Sequence, residues 1–409
     1  MKKKTLIIII SAVVILAAGT LALTAAHKSG TDASASQKKS EASAEADSQD
    51  DAEIERMIQK MSVEEKTAQM FMGCFYNGIP SSATITIESS DSAESNDSAE
   101  NNDSAGSVSP GKYDLGCGLL FGTAFTDTDK STVKAAVLSL QADSDIAPFI
   151  AVDEEGGTVN RVSSSPAFRS EPFKSPRALY AEGGMDAVVS DLHEKNALLS
   201  EIGINLNLAP VLDIATDPND FMYDRSLGQD AETTSEYAKA AVRACRKDNM
   251  GCCLKHFPGY GNSADTHNGI AVDNRSAEQI ENNDMLPFEA GIEAGASAVL
   301  VSHSIVSSID SELPASLSPA IHRLLRKDLN FDGVIITDDL SMGAVTEFTD
   351  GKDSAVAAVL AGNDMLCTGD FVNQFTAVTE AVKSGTITEK RIDRSVRRIL
   401  KWKKSLGII

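Results

Sequence analysis

The chain has 409 residues, of which 42% are hydrophobic and 23% charged, and its formal net charge is −22. That composition fits a globular protein with a large core, and its acidity leaves no electrostatic footprint for nucleic acid. Six cysteines, none in a C-x-x-C or Cys/His zinc spacing, give no reason to expect a metal.

The amino terminus carries Lys2 to Lys4 ahead of an uncharged apolar run from Leu6 to Leu23, with the small residues Thr24, Ala25 and Ala26 after it. Residues 1–26 therefore predict an export signal or a membrane anchor, with cleavage and anchoring both open. Residues 27–52, rich in Ser, Ala, Asp, Glu and Lys, predict a disordered tether, so the protein is expected in the cell envelope or outside the cell. The folded domain is expected over 53–409, where Ser62 followed by Glu65 marks a capping box.

From there apolar runs alternate with helical patterns. The runs are MFMG (70–73), CGLLFG (117–122), PFIAVDEEGG (148–157), INLNLAPVLD (204–213), CCLKHFPG (252–259), ASAVLVSH (296–303), GVIITDD (333–339) and DMLC (364–367). Continuous apolar runs suit strands buried on both faces of a parallel sheet, and eight βα repeats predict a single (β/α)8 TIM-type barrel. No G-x-G-x-x-G turn follows the first run, which favours the barrel over a doubly wound sheet, and no cofactor is expected. Residues 80–110, with repeated DSAE-like units, read as a disordered acidic insertion after the first strand, emerging at the same barrel end as the site. Cys74 and Cys117 flank it as buried free thiols, a disulfide closing the loop being the alternative.

In such a barrel the site lies at the carboxyl ends of the strands, where this chain places Asp153, Asp213, Lys255 with His256, His303, and Asp338 with Asp339. Of the adjacent pair Asp338 and Asp339, only one is expected to face the mouth, the other capping a helix near Leu340; alternation does not say which. In NSADTHNG, Asp265 stands two residues before His267, a spacing that lets the carboxylate orient the imidazole. Arg225 could pair with its neighbours Asp224 or Asp230, and Lys255 could be no more than a strand-end side chain.

The stretches EEKTAQMF, DEEGGTVNRV, APVLDIATDP, YDRSLGQD, KHFPGYGNSADTHNG, GVIITDDLSMGA and IDRSVRRILKWKKSLG, in this order, resemble glycoside hydrolase family 3, and specifically its NagZ-like β-N-acetylhexosaminidases. The resemblance implies a TIM barrel and retaining exo-cleavage of terminal β-linked N-acetylglucosamine from peptidoglycan-derived or related glycans. It implies Asp338 as nucleophile, His267 as acid/base oriented by Asp265, and Asp153, Arg161, Arg225, Lys255 and His256 as sugar-binding residues. Two features depart from the family pattern: Tyr260-Gly261-Asn262 stands where His-Gly-Asp is usual, and the acidic insertion is extra. A β-glucosidase-like or phosphorolytic member of the family, or an inactive sugar-binding protein of the envelope, are the alternatives.

Overall fold

The structure is a computed structural model and describes residues 48–88, 108–261, 269–346, 348–349 and 352–409. The chain divides into two compact units, Met1–Met57 and Ile58–Ile409. In the first, residues 48–57 are helical, so ordered structure begins before residue 53 and takes in the last residues of the expected tether. The apolar segment expected to direct export lies outside the described residues.

The second unit is an eight-stranded parallel barrel. Its strands are β1 (Phe71–Phe75), β2 (Cys117–Leu120), β3 (Phe149–Val152), β4 (Leu206–Asn207), β5 (Gly251–Phe257), β6 (Ala298–Val301), β7 (Val334–Thr337) and β8 (Leu366–Thr368). Each falls on one of the eight apolar runs. Neighbours pair in the order β7-β6-β5-β4-β3-β2-β1-β8, and a short seam, with Met365 N–H donating to Ile335 O at 3.0 Å and Thr337 N–H to Met365 O at 3.1 Å, brings β7 against β8. Nearly every strand residue is buried, which explains why the runs are continuously apolar: the inner face fills the barrel and the outer face meets helices.

Local signals place the helices. Ser62 and Glu65 form the expected capping box over Val63–Gln69, and Asp129 and Asp230 accept the Thr132 and Thr233 amides at the starts of Lys130–Ala142 and Ala231–Lys247. In the last helix, Glu389–Ser405, the buried Ile392, Val396, Ile399 and Leu400 lie on one face. It crosses the amino-terminal end of the barrel, where Trp402 packs on Phe149 with ring centroids 4.4 Å apart and the buried Lys403 donates to Gln69 Oε1 at 2.7 Å.

The acidic insertion needs two corrections. Thr84–Ile87 and Gly111–Asp114 form an antiparallel ribbon in which Ile85 is fully buried, so ordered chain extends into the stretch read as disordered from both sides; residues 89–107 lie outside the described residues. The ribbon also does not root at the mouth. Gln69 Nε2 donates to Asp114 O, Ser109 N–H to Glu64 Oε1, and Gly116 N–H to Ala68 O, all at the amino-terminal edge of β1 and β2. All six cysteines are free and buried, so Cys74 and Cys117 are not joined.

Candidate active site

A pocket opens at the carboxyl ends of the strands. Among its lining residues are Asp153, Glu155, Arg161, Arg225, Lys255, His256, Asp338 and Asp339. Six of the eight residues that the sequence nominated therefore converge; the other two, Asp265 and His267, lie outside the described residues. The segment that carries them starts beyond Gly261, directly after the pocket-lining Tyr260.

The floor is an ion network built on β3 and β5. Lys255 Nζ donates to Asp153 Oδ1 and Glu155 Oε1, both at 2.7 Å. Arg225, reaching in from the loop after β4, grips the same Glu155 with Nε at 2.8 Å and Nη2 at 2.6 Å. The Arg225 partners suggested by sequence proximity are thus not used: Asp230 caps a helix instead. Burial alone would raise the Glu155 carboxyl and lower the Lys255 ammonium. The mutual attraction of Lys255, Arg225, Asp153 and Glu155 wins, holding Glu155 far below the carboxylate range and Lys255 above its ordinary value. Glu155, Lys255 and Arg225 are charged, and these charges are fixed before any ligand arrives.

Consecutive residues divide the work at the end of β3. Asp153 and Glu155 project to the pocket as an i, i+2 pair, whereas Glu154 is buried on the other side, accepting the amides of Arg161, Val162 and Ser163 at 2.8, 2.7 and 3.1 Å. Glu154 thereby holds the loop from which Arg161 reaches over the Phe121 ring, 5.7 Å from its centroid. The Arg161 Nε is buried without a hydrogen-bond partner among the described residues, a donor left for a ligand oxygen.

At β5, Lys255 and His256 both line the pocket although they are adjacent in a strand. They sit at an irregularity in the β5–β6 pairing, and the peptide between them is cis. Asp213, from the end of the fourth apolar run, orients His256 through Nδ1 at 2.7 Å and accepts the Tyr260 amide at 2.7 Å. The chain then leaves through Gly259 at φ +118° and Gly261 at φ +54°, where a Cβ would lie 2.6 Å from Asp284 and 2.3 Å from Arg275.

Asp338 and Asp339 both reach the pocket wall, in different surroundings. Burial would raise Asp338, but His303, His256, the Asp339 amide at 2.9 Å and Lys255 together hold it below the ordinary carboxylate range. It is an ionised carboxylate in a largely enclosed place. Asp339 accepts the Tyr76 hydroxyl on one oxygen and the Ser341 amide at 2.8 Å on the other. It caps a turn, since the following helix begins at Gly343 and not near Leu340. His303 is buried, and burial lowers its pKa; its Nε2 donates to Asp339 O at 3.0 Å and its Nδ1 lies 2.7 Å from Ser316 Oγ. It braces the Asp339–Leu340 peptide.

An ionised, fixed carboxylate beside a set of prearranged cations and acceptors can attack an electrophilic carbon while holding a polyhydroxylated ligand. The model of the glycosyl hydrolase family 3 N-terminal domain matches residues 62–402. The chain belongs to glycosyl hydrolase family 3. A family relative from Methylococcus capsulatus, named beta-hexosaminidase, is 31% identical over 270 residues, which cover 66% of this chain and 79% of that protein. Among solved structures, a family 3 beta-N-acetylglucosaminidase from a Paenibacillus species matches at TM-score 0.72 and 29% identity, covering 85% of this chain but only 63% of that one. The beta-N-acetylhexosaminidase of Beutenbergia cavernae matches at TM-score 0.69 and 27% identity, covering 84% of this chain and 99% of that one.

Sequence reasoning passed over Glu155 and Tyr76, and it placed Asp213 and His303 at the strand ends without the positioning roles they take on His256 and on the Asp339 carbonyl. Glu155 was within reach, because it stands two residues after Asp153 and so shares its side of the strand. Tyr76 carried no signal: only the barrel brings it to Asp339.

Proposed function

We propose that this family 3 chain is a retaining, exo-acting β-N-acetylglucosaminidase that removes terminal β-linked N-acetylglucosamine from cell-wall or related glycans. The observation that carries the reading is the buried Asp153–Lys255–Glu155–Arg225 network beside the ionised Asp338, in a chain similar to proteins named beta-hexosaminidase. Asp338 attacks the anomeric carbon to form a glycosyl-enzyme. His267, oriented by Asp265, protonates the leaving oxygen and, once neutral, takes a proton from the attacking water in the second displacement. Arg161, Arg225, Lys255, Asp153 and His256 bind the sugar ring. The Lys-rich, apolar amino terminus supports export, with work outside the cytoplasmic membrane as a tethered or released enzyme.

The test is release of nitrophenol from its β-N-acetylglucosaminide, with and without phosphate, while NMR follows the first anomer formed. The β-anomer of free N-acetylglucosamine, at a rate indifferent to phosphate, is expected. An α-anomer refutes the retaining scheme, and a sugar phosphate refutes hydrolysis. Recovery of the full-length chain only from cytosol on cell fractionation refutes export.

A further inference from the structure

Two thiols stand at the floor of the same pocket. Cys74 comes from β1 and Cys367 from β8, neighbouring strands paired from Phe71–Leu366 to Gly73–Thr368. Both line the pocket that Asp338 and Asp339 share, and both are nearly buried, at 5% and 3% exposure, so that a reagent reaches them through the pocket. Their sulfurs lie 3.5 Å apart, so a bond of about 2.05 Å needs an approach of only about 1.5 Å. Cys74 Sγ is also 3.9 Å from Asp339 Oδ2, the carboxylate oxygen that receives the Tyr76 hydroxyl.

We propose that Cys74 and Cys367 form a reactive dithiol site at the pocket floor, taking small thiophilic electrophiles such as low-molecular-weight disulfides and trivalent arsenicals, and that its closure to a disulfide slows turnover. The turnover part rests on the glycosidase reading; the dithiol chemistry does not. With a small disulfide, one protein thiolate attacks a sulfur, forming a mixed disulfide and expelling one thiolate. The second cysteine then attacks the protein-bound sulfur and expels the other. The protein gives up two protons and two electrons, and the small disulfide leaves as two thiols. An organic arsenoxide instead condenses with both thiols into a cyclic dithioarsenite and releases water, with no change of oxidation state.

The effect on turnover follows from position. Closure draws β1 toward β8 and removes the Cys74 S–H from the neighbourhood of Asp339, one residue from Asp338. Tyr76, two residues beyond Cys74, is carried with it. A second close thiol pair, Cys245 and Cys252, belongs to the hydrophobic core and does not line the pocket, so a pocket ligand shields only the first pair.

The experiment treats the reduced full-length chain with bis(2-hydroxyethyl) disulfide, with and without saturating N-acetylglucosamine, and maps cross-linked peptides by mass. A Cys74–Cys367 cross-link is expected, slowed at least about fivefold by the sugar and blocked by prior phenylarsine oxide. The kcat/KM on the nitrophenyl glycoside is expected to fall about fivefold or more on oxidation and to return with dithiothreitol. In Cys74→Ser and Cys367→Ser, the ratio of oxidised to reduced activity should be unity. No such cross-link, or one confined to Cys245–Cys252, overturns the site; a cross-link indifferent to sugar overturns access through the pocket. A cross-link with unchanged kcat/KM overturns the effect on turnover. A reduced protein inactive on the glycoside refutes the glycosidase reading and the effect on turnover, while the mass map still decides the dithiol.

Discussion

Glu155→Gln isolates the electrostatics of the pocket floor, because it keeps the shape of the side chain and deletes one charge. Glu155 is almost wholly buried and accepts from both Lys255 and Arg225, so little solvent screening reduces its contribution. Removing one member of a buried, hydrogen-bonded charge group costs roughly 3–5 kcal/mol. Lys255 keeps Asp153, which argues for the lower figure, about 3 kcal/mol. In urea unfolding with a slope of about 3 kcal/mol/M, that is a fall in midpoint of about 1 M. Because the amide keeps one acceptor oxygen but turns an NH2 donor towards Arg225 or Lys255 in place of the other, one of the charge-assisted hydrogen bonds is lost and kcat/KM should also drop about a hundredfold, the kinetic equivalent of about 3 kcal/mol.

The pH dependence supplies the sharper check. The folded-state pKa of Glu155 lies below the unfolded value of about 4.3, so the unfolded chain takes up the proton first as pH falls. The stabilisation is therefore complete above about pH 5 and is lost as pH falls below about 4.3 towards the folded value. The difference in unfolding free energy between the parent and Glu155→Gln should be flat from pH 5 to 8 and shrink below that. If the variant matches the parent within about 0.5 kcal/mol at pH 7, or if the gap stays constant down to pH 3, the assignment of Glu155 as the organising anion fails.

The remaining predictions concern the reaction and the fold. Asp338→Asn should lower kcat more than about 1,000-fold, whereas Asp339→Asn should lose about tenfold, the scale of one charge-assisted hydrogen bond; a reversed order in nitrophenol assays would move the nucleophile to Asp339. His267→Ala should cost less than about tenfold on an activated aryl glycoside and about 100-fold or more on an unactivated disaccharide, measured side by side. Excising 89–107 with a short Gly/Ser join should leave the urea midpoint unchanged, while excising 81–110 removes the buried Ala83 and Ile85 and should cost about 3 kcal/mol.

The barrel was legible because parallel strands buried on both faces leave uninterrupted apolar runs, and because Ser62, Glu65 and the strand-end polar residues carry positional meaning. Pairings across the barrel were not. Arg225 had Asp224 and Asp230 close in sequence, yet its partner is Glu155, seventy residues away. Strand alternation limited the mouth to one of Asp338 and Asp339, whereas the turn after β7 lets both reach the pocket. The insertion was misplaced for a related reason. Composition reports where a segment lacks a core but not that its flanks, through Ile85 and Tyr113, fold back to the opposite edge.

That rooting separates two properties which a loop at the mouth would couple. The ends of 89–107 are held by a paired ribbon that meets Gln69 through Asp114 and Glu64 through Ser109, with the length of the barrel between that anchorage and the Arg225–Glu155 floor. The same position is a port in the engineering sense: a reporter, affinity peptide or second domain inserted there would ride on the enzyme and leave its Michaelis parameters unchanged.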